Sequence, residues 1–109
     1  MSGYKKGKDR LEENDTTTGT YNLDYNFDTW LLTFTGAVTF TESNLPISGT
    51  NTKVITIHIE DMDGFAGTLA TGWGDNITGA LDNTAGVWNT IVVEYIKSGV
   101  YKVDISQPS

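Results

Sequence analysis

From Tyr21 to Thr41 apolar and polar residues alternate with a period of two, and the alternation changes phase once. Tyr21, Leu23, Tyr25 and Phe27 share one face, with Asn22, Asp24 and Asn26 opposite. Beyond Asp28-Thr29, Trp30, Leu32, Phe34, Val38 and Phe40 take the even positions, and Leu31, Thr33, Thr35, Thr39 and Thr41 the odd ones. A period of two is that of a half-buried β-strand, whereas apolar positions on a helix recur every 3.6 residues. The one-residue phase change requires a turn or bulge at Asp28-Thr29. Gly36-Ala37 interrupts the second run as a kink, a bulge or a tight turn.

The rest of the chain obeys the same period. SNLPISGTN (43–51) is punctuated by Pro46 and Gly49 and reads as a loop. KVITIHIE (53–60) places Ile55, Ile57 and Ile59 inward and Thr56 and His58 outward. A short strand follows around Thr68–Ala70, then a Gly-rich passage to about Gly86. WNTIVVEYIKSGVYKVDIS reads as a hairpin turning on Ser98-Gly99, with Ile91, Val93 and Tyr95 answered by Tyr101, Val103 and Ile105. The 17 threonines suit pleated strands, and the 12 glycines suit turns. No window of helical length carries a helical apolar stripe. The expectation is an all-β, antiparallel β-sandwich of about seven to eight short strands, jelly-roll-like, with an extended N-terminal arm.

At 109 residues the chain is one domain. Charge divides it: Lys5, Lys6, Lys8 and Arg10 face only Asp9 in the first ten positions, while residues 11–109 hold 3 bases against 13 acids. Residues 1–20, ending in the polar run NDTTTGT, are read as an arm and linker, and residues 21–109 as the sandwich. An acidic body repels phosphate, which argues against nucleic acid as its ligand. The basic arm suits an acidic partner surface or nucleic acid, against the plain reading of a solvated tail; in the attachment reading Tyr4, Lys5, Lys6, Lys8 and Arg10 are its contact residues. No run of about 18 apolar residues is present to span a membrane, and the N-terminus lacks the apolar region of a secretory signal peptide. With no cysteine there are neither disulfides nor Cys-based zinc sites.

From Asp28 onward the order of elements carries a resemblance. LLTFTGAVTFT is followed by SNLP and a Gly/Ser loop, then KVITIHI, a D-x-x-G-x-x-G turn, TLATGWG, and the hairpin NTIVVEYIKSGVYKVDISQ. Over roughly residues 28–107 this order resembles the small β-sandwich domain of bacteriophage fibre, appendage and head-decoration proteins. The resemblance implies a structural virion protein, a short fibre or capsid or tail decoration protein, often a homotrimer and anchored to other virion proteins by its N-terminal segment. The chain ends at SQPS just after its last strand, so the expectation is an arm plus one sandwich with no distal module. Tyr21, Leu23, Tyr25 and Phe27 precede the family-like region and are expected to pack between subunits.

Three site chemistries compete for residues 59–76, IEDMDGFAGTLATGWGDN. An EF-hand fails on spacing: from Asp61, position 5 is Phe65, position 6 Ala66 and position 12 Gly72. An irregular calcium site from Glu60, Asp61, Asp63 and Asp75 stands against a plain solvated turn, which the resemblance favours. Trp73, with Asp75 and Asn76 and joined by Trp88, Phe65 and Tyr4, is the candidate for a stacking surface toward a host glycan, the alternative reading being a carbohydrate-binding or adhesion module; aromatics in so small a domain are more often core. Catalysis has little to work with. The lone His58 lies on a polar strand face, and Ser43, Ser48 and Ser98 sit in no nucleophile motif. GTLATGWG lacks the lysine and following helix of a phosphate-binding loop. The expectation is a non-enzymatic protein without cofactor or metal.

Overall fold

The computed structural model describes residues 11–46, 52–74 and 76–108. Among the described residues seven strands run β1 (Leu11–Asp24), β2 (Thr29–Ser43), β3 (Lys53–Asp61), β4 (Gly67–Thr68), β5 (Ile77–Thr78), β6 (Asn89–Lys97) and β7 (Val100–Ser106), with a 3-10 turn at Thr71–Trp73. The expected all-β sandwich is what the chain forms. Its strands are hydrogen-bonded in the order β1-β2-β3-β6-β7-β5, and β4 pairs β2.

The expected antiparallel pairing holds for β3–β6 and β6–β7. Elsewhere it gives way: β1–β2, β2–β3, β2–β4 and β5–β7 are parallel. Parallel neighbours normally need a crossover of about a dozen residues, yet only Tyr25–Asp28 separates β1 from β2. Curling resolves the conflict. At about 3.3 Å per residue a straight β2 would be about 50 Å long, longer than the molecule's greatest extent of 39 Å. The Phe34 and Phe40 ring centroids lie 6.3 Å apart, although six residues of straight strand would separate them by about 20 Å. β2 therefore folds back on itself around Gly36-Ala37, and β1 follows it through register shifts between Asn14 and Gly19. A Cβ on Gly36 would lie 2.2 Å from Thr18 Oγ1, so glycine lets the two bent strands approach.

Because β2 keeps its even parity through the bend, both of its halves face one core. Trp30, Leu32, Phe34, Val38 and Phe40 pack with Ile55, Ile57, Ile59, Ile91, Val93 and Ile105, all buried. One strand pair thus contributes to both layers of the sandwich. The Tyr25–Asp28 connection is fastened to β3 by Lys53, whose Nζ lies 2.6 Å from Asp28 Oδ1 and donates to the Tyr25 carbonyl.

Two expectations change here. The boundary between residues 20 and 21 does not coincide with a break, since residues 11–20 pair with 29–39 as the first part of β1. Nor are the strand-face aromatics held for a neighbouring subunit. Leu23 and Tyr25 are buried within this chain, and Tyr21 and Phe27 are half-buried against the same core, because the curl of β1 turns that face inward. The phase change at Asp28-Thr29 and the Ser98-Gly99 hairpin turn fall where the alternation placed them.

Candidate functional site

Trp73 is the clearest correction. It is 1% exposed, so no ring is offered to a glycan. The 3-10 turn folds its indole inward, where Nε1–H donates to Glu42 Oε2 at 2.7 Å. The same oxygen accepts the Tyr25 hydroxyl at 2.5 Å, and Oε1 accepts the Tyr101 hydroxyl at 3.0 Å. Three donors from separate parts of the chain thereby satisfy one half-buried carboxylate. Burial, and then the hydrogen bond and charge of Glu42, push both tyrosines well above their ordinary value of 10.0. This is a packing knot that ties β2, the 3-10 turn and β7 together. Asn76, the other described member of the glycan candidate, donates to the Tyr101 carbonyl at 3.0 Å. Asp75, Tyr4, Lys5, Lys6, Lys8 and Arg10 lie outside the described residues.

The acids of the 60–63 turn do not converge. Asp61 Oδ1 accepts from the Asp63 and Gly86 backbone N–H groups, at 2.7 and 2.9 Å, and so shapes the loop as a side-chain cap. Glu60 points the other way, toward Thr33 Oγ1 at 3.4 Å. Among the described residues no group of three His, Cys, Asp or Glu side chains is placed to hold a metal ion.

The outer face of the sheet carries the groups that packing leaves over. His58 alternates with buried Ile57 and Ile59 and so faces outward. The Trp88 ring lies 5.6 Å from it, and the Trp88 Nε1–H donates to Thr90 Oγ1 at 3.2 Å. His58 Nδ1 shares that hydroxyl at 3.2 Å. Trp88 remains 36% exposed. An open depression of about 380 Å³ is lined by Glu13, Asn14, Asp15, Leu31, Thr33 and Glu60, of which Leu31 is the ladder partner of His58. β1 bulges between Asn14 and Thr17, where Asn14 Oδ1 accepts from the Thr16 N–H.

Sequence reading named Trp88 only as an accessory aromatic and missed the depression. A bulge in a polar strand leaves no mark on the period-two pattern. Glu42 was more accessible to reasoning: its even position puts it on the core face of β2, where a carboxylate needs donors. No family model, no curated protein and no solved structure matches this chain.

Proposed function

We propose that this protein is a non-enzymatic structural component of a virion, a short fibre or a capsid or tail decoration protein. In this reading residues 1–10 attach it to other virion proteins and the sandwich assembles as an oligomer, a homotrimer by the resemblance. One observation carries the reading. The four basic residues of positions 1–10 lead directly into β1, the edge strand of a sheet whose remaining chain holds 3 bases against 13 acids. A basic segment joined to a sheet edge suits attachment through charge and strand pairing to a neighbour. The half-buried carboxylate Glu42 serves packing, with its oxygens committed to Tyr25, Trp73 and Tyr101.

The test is deletion of residues 1–10, which leaves every residue of β1 in place. The truncated protein is expected to stay folded by circular dichroism and to be missing from purified particles when it replaces the full-length chain. Incorporation at the full-length level would overturn the attachment role.

A further inference from the structure

We infer that the outer face of β1, β2, β3, β6 and β7 is a surface on which a second copy of this chain packs face to face. Two ladder rungs cross it, Leu11–Thr29–Thr56–Val92–Asp104 and Glu13–Leu31–His58–Thr90–Ser106. Their middle positions, on β2, β3 and β6, hold no Lys, Arg, Asp or Glu. A sheet face turned to water usually carries polar and charged groups there. Apolar side chains stand around this centre instead. Leu11 and Val54 are 52% and 53% exposed, and Trp88 and Val100 are exposed as well. Each directly precedes a residue on the core side: Glu12, opposite buried Trp30, then Ile55, Asn89 and Tyr101. They are four of the seven large apolar side chains left exposed among the described residues. The exposed apolar surface is thus concentrated on one face, which is the mark of an interaction surface.

Relief, charge and area together select a second copy. Short Thr and Val side chains give the middle of the sheet a low relief, which suits another sheet stacked about 10 Å away. Residues 11–109 carry 3 bases against 13 acids, so two copies repel unless they meet where carboxylates are sparse. The two rims of the face then match. Glu13, Asp15 and Glu60 lie on the β1 side, whereas on the β7 side Lys97 and Lys102 balance Glu94 and Asp104. A twofold turn that exchanges the sides lays the neutral rim of one copy against the acidic rim of the other. It never sets two acidic rims together. Five strands about 4.8 Å apart and about 25 Å long present about 600 Å². Over both copies that is about 1,200 Å², the lower end for a specific interface. An uncharged centre inside a charged rim is also how such interfaces are built. This twofold pair is separate from the trimer of the virion reading, and residues 1–10 play no part in it.

Sedimentation of the isolated full-length protein tests the pairing. At about 100 μM the protein is expected to run as a dimer that dissociates on dilution. Thr56→Arg puts an unpaired charge at the centre of the face, and Val54→Lys does so at an exposed position where the fold is expected to survive. Each should weaken association at least about tenfold with an unchanged circular dichroism spectrum. Lys102→Glu turns the neutral rim acidic and should weaken it too. Leu45→Ser, which removes an exposed apolar side chain beyond the far end of β2, should leave the mass unchanged, as should deletion of residues 1–10. A monomer at about 100 μM, or a dimer that survives both Thr56→Arg and Val54→Lys, would overturn the inference. So would a dimer lost on deleting residues 1–10 or weakened equally by Leu45→Ser. A trimer that every variant leaves intact would keep the oligomer of the virion reading and overturn this face alone.

Discussion

Gly79 and Gly64 both adopt left-handed backbone, at φ +87° and +82°, but differ in what surrounds them. A Cβ on Gly64 would meet nothing within 4 Å, whereas one on Gly79 would lie 2.1 Å from the Ile105 carbonyl oxygen. Gly64→Ala should therefore cost about 1–2 kcal/mol, the ordinary penalty of a left-handed alanine. Gly79→Ala adds a collision with backbone and should cost clearly more. Urea titration of the two variants measures the difference, and equal midpoints would mean that β7 yields at Ile105. At this scale the sequence shows which residues are special better than it shows why. The glycines of GTLATGWG read as turns needing positive φ, which is true of Gly74. Gly67 is instead constrained by space, since a Cβ there would sit 3.0 Å from both Leu81 Cδ1 and Met62 Cε. Trp73 was ambiguous because a 3-10 turn between glycines follows neither the strand period nor the helix period.

Strand parity was legible along β2, β3, β6 and β7, and it correctly placed Trp30, Ile57, Ile91 and Val103 in the core. Strand direction was not, because alternation is identical in parallel and antiparallel ladders. The short Tyr25–Asp28 connection argued for a hairpin, and only the curl of β1 and β2 makes a parallel pair compatible with it. NDTTTGT looked like linker because its side chains are polar; as part of an edge strand it holds its place through backbone pairing and through Thr17, which is 1% exposed. Truncations separate these readings. Removing residues 1–10 should leave the melting temperature nearly unchanged. Removing residues 1–18 strips the first half of β1 from Thr29–Phe34 and uncovers the core beneath it. Each kcal/mol lost in a domain of this size lowers the midpoint by about 4–8 °C, and the longer truncation should exceed one such step. Equal melting of both truncations would show that β1 adds nothing to stability before Gly19.

The whole molecule should weaken in alkali. Tyr25, Tyr101 and Tyr21 are all pushed up from 10.0, chiefly by burial, with Glu42 adding to the first two and Glu12 to the third. Above pH 10 the unfolded chain releases tyrosine protons that the folded chain still holds, so stability is full below that value and falls as pH rises further. Tyr25→Phe removes one such group and should flatten the decline by about 1.4 kcal/mol per pH unit; an unchanged slope would mean that Tyr25 ionises freely in the fold. The parallel pairing of β1 with β2 has a mechanical side as well. A tether at residue 10 pulls on the leading end of β1, along the segment ahead of the bend that is laced to β2 from Leu11 to Asn14. Load in that direction reaches the lacing all at once, as in a lap joint, instead of opening it rung by rung as at the end of a hairpin. A short protein hung from its N-terminus would thus resist being pulled off through the strand that looks most like a loose tail.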